Sequence, residues 1–236
     1  MRDLKIVCHR GANKIAPENT LAALEKAIAL GAHAVEFDIH ASRDGVLYVI
    51  HDETVDRTTD GSGRVADMTS EEIDCLDAGS WFSPQFAGEK VPRLDAFLDA
   101  CAGRIATYAE IKQADPALVR DMLRERGLLE TGWTFSFDPA IRADVRARVP
   151  DFRLMVLFEH VGKVSEAVAL GASILEFHPD TMSAERVSEA HEAGLVTQIF
   201  YAGSDPDVFK AAIAYGIDQY NIDDVDTLRR VMASDQ

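Results

Sequence analysis

A parallel α/β fold closed into a (β/α)8 TIM-type barrel is the architecture this sequence predicts, with an insertion at residues 52–92. Three observations predict it. Short apolar runs alternate with helix-like patterns over nearly the whole chain, which implies a parallel sheet covered by helices. The length, 236 residues, suits about eight strand–helix units in one barrel. An open doubly wound sheet usually carries a Gly-rich phosphate turn after its first strand, whereas here that strand runs into Cys8-His9-Arg10-Gly11.

The strand candidates are 4–8, 34–39, 46–50, 105–111, 133–137, 152–158, 173–177, 195–201 and 217–222. The helix candidates are 20–30, 94–102, 116–126, 139–148, 163–170, 183–193 and 206–215. Several helices begin with Asp or Ser followed by Pro or a polar residue, and several end at glycine, as at Gly31, Gly103, Gly127, Gly171, Gly194 and Gly216. Nine strand candidates compete for eight barrel places. The gap between Ile39 and Val46 is too short for a parallel crossover, so either the second or the third candidate departs from barrel geometry or one of the nine is not a barrel strand. The stretch 52–92 is polar and turn-rich, with one short helical pattern at 70–76, and reads as an excursion over a barrel mouth. No linker or composition shift divides the chain, so one domain over 1–236 is expected.

The composition is 47% hydrophobic and 27% charged, ordinary for a globular protein, and the formal net charge is −16. So acidic a chain argues against nucleic-acid partners and stable association with anionic membranes. An anionic substrate would need local positive charge or a bound cation. Cys8, Cys75 and Cys101 are odd in number and widely spaced, and read as small buried residues rather than disulfides or a zinc site. The N-terminal run from Met1 enters a strand pattern with no leader-like apolar stretch, and no run elsewhere is long enough to span a membrane. A cytoplasmic location is expected.

Barrel chemistry sits at the carboxyl ends of strands. Those ends carry His9-Arg10, then Glu36-Phe37-Asp38, then His51-Asp52, then Glu110-Ile111-Lys112. Glu36 and Asp38 are two apart on a strand and share a face. With Glu110 they make three carboxylates that need a cation or a shared proton, and the donor set suits Mg²⁺ or Ca²⁺. His9 and His51 are acid/base candidates near neutral pH. Arg10 and Lys112 are candidate phosphate ligands. Glu176 and His178 form a second pair two apart, for which a structural or supporting role is expected. His33, His40, His160 and His191 read as ordinary surface or hydrogen-bonded histidines. Trp81, Phe82 and Phe86 read as a local core of the excursion, with a contact for an acyl chain as the alternative.

At these residues the chain resembles the glycerophosphodiester phosphodiesterase family. The shared pattern is His9-Arg10-Gly11, Pro17-Glu18-Asn19-Thr20, Glu36-x-Asp38, His51-Asp52, Arg57-Thr58-Thr59, Gly61-x-Gly63, Pro92-x-Leu94, Glu110-x-Lys112 and Ser136-Phe137. Order and spacing match over roughly the first 140 residues, and more loosely thereafter. The resemblance implies a (β/α)8 barrel and a divalent metal on Glu36, Asp38 and Glu110. It implies His9 and His51 as general acid and base, and Arg10 and Lys112 on phosphate. Glu18 and Asn19 would support the site from a helix start, and the excursion would bind the glycerol end. The implied reaction releases glycerol 3-phosphate and an alcohol such as choline or ethanolamine, by internal attack of the glycerol 2-hydroxyl. Two rivals are a phosphodiesterase acting on lysophospholipids and a barrel that binds phosphodiesters without cleaving them. The departures fall late: Phe200-Tyr201-Ala202-Gly203 stands where the family often has Trp-Thr-Val-Asn, and Ile222-Asp223-Asp224-Val225 where it often has Thr-Asp-x-Pro.

Overall fold

A computed structural model describes residues 4–234; the first three residues of the N-terminal run lie outside it. In chain order the elements are β1 (Lys5–Cys8), α1 (Leu21–Ala29), β2 (Ala34–Ala41), β3 (Leu47–Val49), α2 (Ser70–Cys75), α3 (Leu94–Cys101), β4 (Ala106–Gln113), α4 (Pro116–Glu125) and β5 (Trp133–Phe135). There follow α5 (Pro139–Arg148), β6 (Met155–Leu157), α6 (Phe158–Val161), α7 (Val164–Ala169), β7 (Ile174–Phe177), α8 (Ala184–Glu192), β8 (Val196–Tyr201), α9 (Pro206–Tyr215), β9 (Gln219–Ile222) and α10 (Val225–Ser234). Leaving β3 aside, eight strands alternate with helices, and the fold is a (β/α)8 TIM-type barrel.

The chain divides into two compact units. The unit 9–152 holds β2, β4 and β5, paired in parallel, with Asp38 beside Glu110 and Glu36 beside Tyr108. The other unit holds β1 and β6–β9, with β1 on β9, β9 on β8, β8 on β7 and β7 on β6, all parallel.

The surplus strand is β3, which runs antiparallel to β2 through Ile39↔Val49, His40↔Tyr48 and Ala41↔Leu47. A tight return suffices for antiparallel pairing, which explains the short gap between Ile39 and Val46. Two helices escaped the sequence reading. The one-turn α6 begins at Phe158, which the sequence pattern assigned to a strand, and α10 closes the described chain.

Local chemistry explains the helix ends. Asp115, Asp138 and Asp205 each precede a proline and accept a backbone N–H from the first turn of α4, α5 and α9. Strand β2 is buried along its first seven residues. Two-residue periodicity sets Val35, Phe37 and Ile39 on one face, where Phe37 meets Phe97 of α3 at a ring distance of 4.8 Å. Glu36, Asp38 and His40 take the opposite face.

The excursion after β3 has its own small core, in which Tyr48, Ile50, Val55, Val65, Ile73, Ala78 and Val91 are buried. Thr69 and Glu72 form a capping box at α2. Tyr48 donates its hydroxyl to Asp74 at 2.7 Å, pinning α2 to β3. The expected aromatic core is not found at Trp81, Phe82 and Phe86. Trp81 is exposed, and the three rings meet edge to face outside the buried cluster. Cys8 and Cys101 are buried as expected, and burial pushes both thiols up to about 12. Cys75 is exposed, because it lies at the outer end of the six-residue α2. No helix among the described residues is long and apolar enough to cross a membrane.

Candidate active site

The site is built within the unit 9–152, at the carboxyl ends of β2 and β4. Oxygens of Glu36, Asp38 and Glu110 lie within 4.8 Å of one another, and all three residues are buried. The register between β2 and β4 brings Asp38 and Glu110 side by side, and strand periodicity adds Glu36 on the same face.

Two cations answer these carboxylates. Lys112 forms an ion pair with Glu110, and its Nζ lies 3.2 Å from Asp38 Oδ1. Arg10 brings its Nε to 3.5 Å from Asp38 Oδ2, and its backbone N–H donates to Glu36 Oε2 at 2.7 Å. Asn19 donates to Asp38 Oδ2 at 2.8 Å and accepts from the Asp38 backbone N–H at 3.3 Å.

Compensation is uneven. Burial, then the charges of Asp38 and Glu110, pushes the Glu36 carboxyl well above its ordinary range. Burial and the Asp38 charge raise Glu110 to about 7. Burial works in the same direction on Asp38, but Lys112, His51, Arg10 and the Asn19 hydrogen bond outweigh it and hold that group low. Asp38 Oδ1 and Glu110 Oε1 are buried without a well-directed hydrogen-bond donor. Three clustered carboxylates with undirected lone pairs fit a hard, oxygen-preferring cation.

The loop after β1 is wound tightly around this cluster. Arg10 and Asn19 both have left-handed backbones, at φ 55° and 58°, a conformation that costs of order 1–3 kcal/mol and recurs at functional sites. They hold each other, the Asn19 N–H donating to the Arg10 carbonyl at 3.0 Å. Thr20 then caps α1 by accepting from the Ala23 N–H. Gly11, at φ 78°, lies so close to α1 that an added Cβ would stand 2.7 Å from the Ala23 Cβ.

The antiparallel return of β3 delivers His51 to the same end of β2. The His51 carbonyl is 3.1 Å from His40 Nε2, and its Nδ1 is 2.6 Å from Asp52 Oδ1. Burial lowers the His51 pKa, against the opposing pull of Asp38 and Asp52. Burial likewise keeps His40 neutral at higher acidity than usual. Glu18 accepts from Arg10 and, through both oxygens, from Arg57. His9 directly follows β1, half-buried, one residue before Arg10. A cavity of about 420 Å³ opens beside His51 and Lys112, with Phe137, Arg64 and Glu53 among its walls. The Phe137 ring is 55% exposed, and Lys112 Nζ lies 5.4 Å from its centre.

The sequence-derived residues Arg10, Glu18, Asn19, Glu36, Asp38, Glu110 and Lys112 therefore form one connected cluster, and His51 stands beside it. His40 is the hydrogen-bonded histidine expected, its buried ring meeting the His51 carbonyl, but the sequence did not link it to His51. Its position two residues after Asp38 was the available signal. Sequence reasoning gave Arg57 no role. The pair Glu176 and His178 belongs to the other unit. Buried Glu176 accepts from Gln198, and His178 Nδ1 lies 3.0 Å from Glu159.

A barrel with buried carboxylates at its strand ends, flanked by an arginine, a lysine and a carboxylate-paired histidine, offers adjoining places for a cation and an anion. The chain belongs to the glycerophosphoryl diester phosphodiesterase family, whose model matches residues 9–227. Among solved structures, a glycerophosphodiester phosphodiesterase from Agrobacterium tumefaciens is 41% identical. It superposes with a TM-score of 0.92, over 96% of this chain and 99% of that one. A glycerophosphodiester phosphodiesterase of Caldanaerobacter subterraneus subsp. tengcongensis is 38% identical over 162 residues, 65% of this chain and 66% of the relative. One from Bacillus subtilis is 43% identical over 117 residues, 46% of this chain and 40% of that protein. The chain thus spans less than two thirds of the length of these curated relatives.

Proposed function

We propose that the protein hydrolyses glycerophosphodiesters to glycerol 3-phosphate and an alcohol, using a divalent cation on Glu36, Asp38 and Glu110. The observation that carries this reading is the buried carboxylate cluster framed by Arg10 and Lys112, in a chain of this family. When bound, Mg²⁺ or Ca²⁺ would neutralise phosphodiester charge and order the glycerol hydroxyls. Arg10, with a guanidinium suited to two phosphate oxygens, and Lys112, a point charge, would hold the anion. His9 and His51 divide the proton traffic. One takes the proton of the glycerol 2-hydroxyl as its oxygen attacks phosphorus, and the other protonates the leaving alcohol. Water then opens the cyclic phosphate, with the two protonation roles reversed. The cavity beside His51 gives the alcohol end a place to depart.

A second reading, cleavage of lysophospholipids, draws on the exposed Trp81 with Phe82 and Phe86 at the excursion surface. Product analysis by phosphorus NMR, on glycerophosphocholine and on lysophosphatidylcholine, separates the two. The proposal expects glycerol 3-phosphate from the former, at a rate that His9→Ala or His51→Ala each cuts by about 100-fold or more. Turnover confined to the lysolipid would replace the substrate, and a histidine variant with near wild-type turnover would overturn the two-histidine scheme.

A further inference from the structure

The outer rim of the site carries a chain of paired charges that the proposed chemistry has not used. It begins at His51, whose Nδ1 lies 2.6 Å from Asp52 Oδ1. Arg57 grips the same carboxylate, with Nε on Oδ2 at 2.7 Å and Nη2 on Oδ1 at 2.9 Å. Its remaining donors reach Glu18, with Nη1 on Oε2 at 3.0 Å and Nη2 on Oε1 at 2.9 Å. Glu18 Oε1 in turn accepts from Arg10 Nη1 at 3.0 Å. One guanidinium therefore bridges two carboxylates, and through them joins His51 to the proposed phosphate-binding arginine. Signs alternate along Asp52, Arg57, Glu18 and Arg10, so the chain is internally neutral.

The geometry points to Arg57 as a positioning residue: it clamps Asp52 so that His51 carries its proton on Nδ1 and presents Nε2 for proton transfer, and it anchors the Glu18 that orients Arg10. This rests on the acid/base reading of His51 given above. Its physical basis lies in the donor inventory. Arg57 hydrogen bonds, first among the causes, hold the Asp52 carboxyl far below its ordinary range. An ionised carboxylate only accepts, so the imidazole nitrogen facing it must be the N–H. The tautomer of a histidine is set by the partner of its other nitrogen. Without Arg57, Asp52 is free to turn away, and the imidazole can rotate or exchange tautomers. Lysine cannot reproduce this arrangement, because an ammonium lacks the planar fork that meets two carboxylates at once. The Arg57 side chain is 44% exposed, so its pairs add little to stability and its loss should be felt in the site.

The test compares wild type with Arg57→Ala and Arg57→Lys, using glycerophosphocholine at saturating Mg²⁺ or Ca²⁺ and nitrogen-15 NMR of histidine-labelled protein. The expected result is a kcat lowered about 10- to 100-fold with KM nearly unchanged, as for other groups that orient a reacting side chain. Lysine should fail to rescue, whereas added guanidinium should restore part of the Arg57→Ala rate. The NMR spectrum should place the His51 proton on Nδ1 in wild type and show mixed tautomers in Arg57→Ala, with the thermal midpoint little changed. A rise in KM at constant kcat would make Arg57 a direct substrate ligand and overturn the assignment. Unchanged kcat with unchanged His51 signals would also overturn it. If wild type shows no turnover, the phosphodiesterase reading fails, while the His51 tautomer still decides for or against Arg57.

Discussion

At the scale of single residues, the site is defined by how three neighbouring carboxylates divide their charge. Asp38 is held ionised by Lys112, His51 and Arg10, while Glu36 and Glu110 are pushed upward by burial and then by the charge of Asp38. A bound cation must compete with protons on the latter two. Affinity for Mg²⁺ or Ca²⁺, measured by titration calorimetry, should therefore rise with pH through about 7, where Glu110 loses its proton. The metal-free protein should show the opposite sign in stability. A folded-state pKa raised above the unfolded value contributes stability that is complete below the ordinary carboxylate range and is lost as pH climbs through about 7. Asp52 and Glu18, both depressed, contribute stability that is lost as pH falls below the ordinary carboxylate range. Glu110→Gln should flatten the neutral-pH decline of the metal-free protein in thermal melts at several pH values. A decline of undiminished slope would place its origin elsewhere.

At the scale of elements, the loop between β1 and α1 is the most constrained part of the site. It holds two left-handed non-glycine residues, and Gly11 lies against α1. Gly11→Ala must accept both an unfavourable backbone and a contact with Ala23, so a destabilisation of about 1–3 kcal/mol in denaturant melts is expected, with weakened cation binding. A variant as stable as wild type would show that the loop can retreat from α1. Asp138→Ala, which removes the α5 cap at the wall of the cavity beside His51, should cost about 1 kcal/mol of stability in the same melts. These elements also show what the sequence makes legible. The Asp-Pro starts and glycine ends marked helices because capping is local chemistry. Glu36, Asp38, Glu110 and Lys112 were legible because strand periodicity assigns their faces. The antiparallel β3 was not, since an apolar run carries no sign of its direction and only the short gap hinted at it. The partnership of Arg57 with Glu18 and Asp52 was hidden for a similar reason: Glu18 and Arg57 are 39 residues apart, and only the folded excursion brings them together.

At the scale of the whole molecule, a chain of net charge −16 that belongs to this family sets Arg10 and Lys112 against its buried carboxylates. Because the carboxylates repel one another when empty, cation binding should stabilise the folded state by mass action, by about 2.7 kcal/mol at a hundred times the dissociation constant. A thermal midpoint insensitive to Mg²⁺ and to Ca²⁺ would argue against a cation site. The late strands read differently from the first half of the chain. Phe200 packs on His178 with ring centres 5.6 Å apart, in the stretch where the family pattern fades. The measurement that bears most directly on the central claim is glycerol 3-phosphate release from glycerophosphocholine in the presence of Mg²⁺, of Ca²⁺ and of EDTA. The account predicts release with at least one ion and its loss in EDTA, restored by adding that ion back. Release that persists undiminished in EDTA would contradict the role given to Glu36, Asp38 and Glu110, and no release under any condition would contradict the proposed activity itself.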